Sequence, residues 1–257
     1  EKEGSIEVPN VTGMDTDTPF TISVWVRLPK ERRSLIFASQ LESKKEGDTS
    51  NIPGWSIGVE ANNTEPQVPV IRLKGADGKY LSARSAPIYA LKPETWYQLT
   101  FAYDGSRHRG GISLYIDGTK IPSYGDGGDN APLASSILSK APLRLGQRFE
   151  GGAMGNIRIL NRWVDEQDAK SLYLADTLQA AAKKNISDLS QSDRLALLSY
   201  YISQVDQRTK ETVGKLHEID AARHAIALRG ATTFVQEERT DAEPVAHVLF
   251  RGQYDQM

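Results

Sequence analysis

Four histidines, His108, His217, His224 and His247, are the side chains best suited to proton transfer near neutral pH. With no cysteine in the sequence, nucleophilic catalysis would need a Ser–His–Asp set built on one of them. They are scattered over a loop, a helical stretch and a strand-like run, and a polar or half-buried role is expected for each. Glu218-Ile219-Asp220-Ala221-Ala222-Arg223 imitates the closely spaced acids of a glycosidase strand. Arg223 replaces the last acid, however, and residues two apart on a helix do not share a face. No enzyme activity is expected.

Metal ligation has two candidates. His217, Asp220 and His224 share a helix face, but the ends of the set are two turns apart and cannot reach one ion. The loop Tyr124–Asn130 is the better one. Asp126, Asp129 and Asn130 offer oxygen ligands between glycines, an arrangement that suits calcium; a plain turn is the alternative. No other cofactor is expected.

Sugar recognition needs an aromatic face for stacking and planar polar side chains for the hydroxyls. Strand alternation puts Trp25 and Arg27 on one face with Trp96, Gln98 and Tyr115, and Arg144 and Arg158 join from the closing strands. Trp25, Arg27, Gln98, Tyr115, Arg144 and Arg158 are therefore the expected ligand residues. The alternative is packing: Trp25 in a second layer, Trp96 at a sandwich edge. Trp55 alternates with Ile57 and Val59 and is expected in the core, and Trp163 is expected to staple a helix to the sheet.

The elements that would position these residues change character near residue 165. Before it, short alternating runs are punctuated by Gly, Pro, Asn and Asp. Residues 20–28, 34–39, 55–60, 68–74, 79–84, 96–103, 112–117, 143–147 and 155–160 read as strands. Asp104-Gly105 and Asp117-Gly118 read as tight turns. This is the pattern of a mainly β, antiparallel two-sheet jelly-roll sandwich. From 165 to about 184 the period becomes helical, and Ser192 or Asp193 opens a second helix that runs to Gly230, roughly 48 Å. Its heptad positions include Leu195, Ile202, Leu216, Leu198, Val205, Ile219 and Ile226, but Thr209, Thr212 and Arg223 dilute the seam. A helical hairpin fits better than a strong coiled coil. Thr232–Glu237 and Val245–Phe250 read as strands again.

Charge excludes one class of partner. Thirty-one basic and 33 acidic residues give a net charge of −2, without the excess that neutralises a phosphate backbone, so no nucleic acid is expected. No apolar run reaches bilayer length, so no membrane insertion is expected.

The ordered segments Phe20–Val26, Trp96–Gly105, Leu114–Gly118, Leu143–Gly146, Gly155–Arg162 and Asp165–Tyr173 resemble laminin-G-like domains of the concanavalin A-like group. The resemblance implies a β-sandwich binding module. Where many relatives carry an acidic pair in the closing strand, this chain has Gly155-Asn156, which removes those carboxylates. Thr232–Glu238 and His247–Asp255 resemble the entry to an uncharacterised planctomycete-specific domain. In such proteins a laminin-G-like sandwich is inserted beside cytochrome-c-like and planctomycete-specific domains. That resemblance implies a bacterial, extracytoplasmic (periplasmic or secreted) setting and a chain that is part of something longer, as does its start without Met.

The expected organisation is a sandwich over 1–175, linker helices or a helical hairpin over 176–230, and the start of a following domain over 231–257. The expected function is a non-catalytic module that binds polysaccharide. The alternative is a structural or interaction domain that packs against other domains of the parent protein.

Overall fold

The structure is a computed structural model that describes residues 5–9, 11–41, 52–61, 66–125, 132–147, 149 and 151–229. Twelve strands form among these residues: β1 (Ile6–Val8), β2 (Phe20–Arg27), β3 (Leu35–Ser39), β4 (Gly54–Glu60), β5 (Val68–Lys74), β6 (Tyr80–Ser85), β7 (Trp96–Tyr103), β8 (Ile112–Ile116), β9 (Thr119–Ile121), β10 (Ser123–Tyr124), β11 (Leu143–Leu145) and β12 (Ala153–Leu160). They make two antiparallel sheets. One has seven strands in the order β1-β11-β3-β4-β5-β6-β10; the other has five, β12-β2-β7-β8-β9. Three α-helices follow: α1 (Glu166–Ala181), α2 (Gln191–Tyr200) and α3 (Gln207–Arg229).

Alternation builds the core between the sheets. Phe20, Ile22, Val24 and Val26 of β2 meet Phe37, Trp55, Ile57, Val59, Ile71 and Leu73 from the larger sheet, all buried. Trp55 is thus a core residue, and its indole N–H donates to Gln40 Oε1 at 3.2 Å. The other side of β2 breaks the simple expectation, because Thr21 and Ser23 are as buried as the apolar residues. A second layer covers them.

That layer is α1. Asp165 caps it by accepting from the Asp168 N–H at 2.8 Å, and Glu166 and Asp168 lie in the positive first turn. The helix crosses the five-stranded sheet and comes down on the β8–β9 turn. Asp117 (φ 50) and Gly118 (φ 77) are both left-handed there, as a type I′ hairpin requires. A Cβ on Gly118 would lie 2.7 Å from Lys170 Cα, so glycine serves both the turn and the approach of the helix.

The single long helix expected after residue 190 is two. Ser190, not Ser192 or Asp193, caps α2, in a reciprocal capping box with Asp193. A π-helical turn, Tyr201–Val205, follows, and Asp206 (ψ 111) is extended and breaks the run. Its carboxylate then accepts from the Thr209 N–H at 3.0 Å and starts α3. A cap residue beside the heptad seam, between Val205 and Thr209, thus outweighs the helical period. The strands expected at Thr232–Glu237 and Val245–Phe250, and the calcium-type residues Asp126, Asp129 and Asn130, lie outside the described residues.

Candidate functional site

The expected groove on the five-stranded sheet is filled from within the chain. Register pairs Trp25 with Gln98 and with Gly155. Between Gly155 and Arg158 the β12 register shifts, with Asn156 in the left-handed region (φ 47). This bulge changes the parity of the strand and aims Arg158, opposite Ser23, at the outer face. Trp25, Gln98 and Arg158 then converge on one carboxylate. Asp176 of α1 accepts from Trp25 Nε1 at 2.7 Å, Gln98 Nε2 at 3.3 Å and Arg158 Nη1 at 2.7 Å, while Arg158 Nη2 reaches its second oxygen. The Trp25 ring stacks on Tyr173 at 5.7 Å. Burial pushes the Asp176 carboxyl up, but these donors outweigh it and hold it below the usual carboxylate range.

Tyr115 is also spent on packing. Its hydroxyl donates to the Val164 carbonyl at 3.0 Å, and the ring packs with Ala102, Val164 and Ala169. Burial raises its pKa. Trp25, Gln98, Tyr115 and Arg158 therefore do come together, as a clasp that holds a helix rather than as an open groove. The reason is Asp176, a polar residue on a weakly amphipathic helix that satisfies three donors at once. Of the expected face only its end stays open. Arg27 is exposed, Trp96 is 46% exposed, and the guanidinium sits 6.0 Å from the Trp96 ring.

Arg144 is on the other sheet. It lies in β11 between Glu7 and Ser39 in register, and it bonds Glu7 Oε1 at 3.0 Å and the Leu41 carbonyl at 2.9 Å. This residue leads to a second face. In cross-strand register, Glu7, Arg144, Ser39, Ser56, Arg72 and Ser82 form one polar row across six strands of the seven-stranded sheet. A neighbouring row holds Ile36, Gly58, Val70, Arg84 and Tyr124, and Arg84 stacks 5.4 Å from the Tyr124 ring. Tyr80, on the same side, and Tyr124 are exposed.

A notch of about 140 Å³ opens on this face between Ser34, Ile36, Ser56, Gly58, Glu60 and Arg72. It is shaped by backbone. The β3 register shifts between Ile36 and Ala38, and a Cβ on Gly58 would lie 2.0 Å from the Leu35 carbonyl oxygen. Arg72 pairs with Glu60 across it. The volume is below the roughly 300 Å³ at which enclosed small-molecule pockets begin, so the notch suits one edge of a ligand lying on the sheet.

Sequence reasoning missed Ser56, Arg72, Tyr80, Arg84 and Tyr124. One signal was present: Gly54-Trp55-Ser56-Ile57-Gly58 has the spacing of a nucleophile elbow. The structure places it inside β4 rather than on a strand-to-helix turn, and among the described residues no histidine lines the notch. Its glycines serve close backbone approach, and Ser56 is a surface hydroxyl.

Comparison with known proteins agrees with the fold. A family model described as "Concanavalin A-like lectin/glucanases superfamily", of laminin-G type, matches residues 1–170. No curated protein matches the chain. Among solved structures, the binding domain of Paraclostridial Mosquitocidal Protein 1 aligns at 18% identity and a TM-score of 0.49, covering 69% of this chain and 42% of that one. The botulinum neurotoxin serotype D ligand binding domain in complex with N-acetylneuraminic acid aligns at 15% and 0.48, covering 68% and 40%. The serotype G binding domain aligns at 16% and 0.43, covering 67% and 40%. The chain thus spans about two-fifths of the length of these structures. With a match over residues 1–170 of 257 and two antiparallel sheets face to face, the chain belongs to the laminin-G-type family of the concanavalin A-like lectin/glucanase superfamily.

Proposed function

We propose that the chain is a non-catalytic module that binds polysaccharide on the outer face of its seven-stranded sheet. One observation carries this reading: the six-strand polar row Glu7–Arg144–Ser39–Ser56–Arg72–Ser82, flanked by Tyr80 and the Arg84–Tyr124 pair, on the side of the sandwich that α1 does not cover. Ser39 and Ser82 are buried, and the Ser39 hydroxyl donates to Gln147. The part of the strip a ligand can reach is therefore Glu7, Ser56 and Arg72 with the Tyr80 and Tyr124 rings, which supplies planar donors, a hydroxyl and aromatic edges for sugars. Glu60 is the single carboxylate among the described residues lining the notch, and it is paired with Arg72. Glycoside hydrolysis uses two carboxylates, typically about 5–9.5 Å apart, so the reading is binding without cleavage.

Affinity electrophoresis of the chain through neutral and acidic polysaccharides, with calcium and with chelator, tests this. Retardation that Arg72→Ala abolishes is the expected result. Absence of retardation in every gel overturns the proposal.

A second reading has its own support. The α2 helix, the turn after it and α3 expose Leu195, Leu198, Tyr201, Ile202, Val205, Ile219 and Ile226. So large an apolar surface suits docking against other domains of a parent protein. No helix among the described residues is long and apolar enough to cross a membrane. On the resemblance of residues 232–255, the parent would be an extracytoplasmic planctomycete protein. Co-purification of the chain with separately expressed neighbouring domains, lost on Leu198→Glu, is the outcome that would favour this reading.

A further inference from the structure

The α3 helix returns along the sandwich and is tied to it at two histidines, two turns apart. His224 stacks on Trp163, ring centroids 3.9 Å apart at 7°, and its Nε2 lies 3.4 Å from Asp104 Oδ2. His217 Nδ1 lies 3.2 Å from Asp165 Oδ2. The second contact differs from the first in one respect: a third ligand-type group is present. One ligand atom from each of Asp165, Asp168 and His217 lies within 4.8 Å of the others.

We propose that Asp165, Asp168 and His217 form a binding site for a zinc-class divalent cation that clips α3 to the sandwich. The donor set is one imidazole nitrogen and two carboxylate oxygens, which suits zinc and not calcium, a cation that takes oxygen alone. At metal–ligand distances of about 2.0–2.2 Å, tetrahedral ligand atoms stand about 3.3–3.6 Å apart. Asp165 and His217, at 3.2 Å, stand just inside that separation, and Asp168 offers an oxygen within 4.8 Å of both. Asp165 is oriented from behind, as ligands in metal sites are: its Oδ1 accepts from the Asp168 N–H while Oδ2 faces His217. Both oxygens of Asp168 accept from the Arg162 guanidinium, so Asp168 joins the site by turning one oxygen from Arg162 to the cation. Arg162 and the positive end of α1 oppose a cation there, but the two carboxylates outweigh them in charge. The side chain of His217 is half-exposed, which leaves the remaining position to water. The set could not be read from spacing, because Asp165 and Asp168 belong to the first turn of one helix and His217 to the middle of another.

The test uses the whole chain. Zinc chloride in about a hundredfold excess over its Kd raises the melting midpoint by about 5 °C, and EDTA reverses the shift. Calorimetry gives one site per chain, and exchange of backbone amides in 207–229 slows. Cobalt in place of zinc gives visible d–d absorption. His217→Ala and Asp168→Asn lose all of these responses, while His224→Ala keeps the cobalt spectrum. The proposal is overturned if zinc does not bind, if calcium stabilises equally, or if either ligand variant binds zinc like the wild type. Two variants guard against one that fails to fold.

Discussion

Asp176 decides more than any other single residue. Its carboxylate, with 3% of the side chain exposed, closes the donor sets of Trp25, Gln98 and Arg158. Removing it leaves an indole N–H, an amide and a guanidinium without their acceptor. A fully buried pair broken on one side costs about 3–5 kcal/mol; Arg158 keeps a third of its surface in water, so Asp176→Ala is expected to cost about 2–3 kcal/mol in urea unfolding. Trp25→Ala is expected to lose a similar amount, through the stack on Tyr173. The pH dependence has a definite sign. Because the folded Asp176 pKa is the lower one, its contribution is complete above the unfolded carboxylate pKa of about 3.9 and is lost as pH falls through the folded value. Trp fluorescence followed down to acid pH should show α1 releasing in that window, and Asp176→Asn should flatten that part of the profile. A helix that stays docked through acid pH would remove Asp176 from this role.

Among the elements, α1 explains both what the sequence disclosed and what it hid. Alternation in β2 and the turn dipeptides Asp104-Gly105 and Asp117-Gly118 located the main strands. β1, β9 and β10, two or three residues long, carry too little pattern to be seen, whereas β11, also three residues, lies within the run 143–147 that alternation did mark. Alternation also sorted Trp25, Gln98 and Tyr115 correctly onto one face. It could not say what lay above them, because a polar residue facing a helix and a polar residue facing water look alike in sequence. The bulge that brings Arg158 to that face is likewise invisible until the register is known. The long helix failed as an expectation because Asp206 can cap as well as continue. Gly118→Ala forces a side chain into a left-handed turn and against Lys170, and should cost about 1–3 kcal/mol of thermal stability. Unchanged melting would mean that α1 does not rest on this turn.

At the scale of the whole molecule, the two outer faces of the sandwich have different fates. The five-stranded sheet is covered by α1 except at its Arg27–Trp96 end; the seven-stranded sheet presents a polar strip and a notch at Gly58. On the proposed function, it is the second face that meets the ligand. The direct measurement is the dissociation constant on one retained polysaccharide for wild type, Arg72→Ala, Tyr80→Ala and Trp96→Ala. Arg72→Ala and Tyr80→Ala should each weaken binding about tenfold, roughly 1.4 kcal/mol, while Trp96→Ala binds like the wild type. Binding lost in Trp96→Ala and kept in the other two would contradict the claim and return the site to the end of the five-stranded sheet.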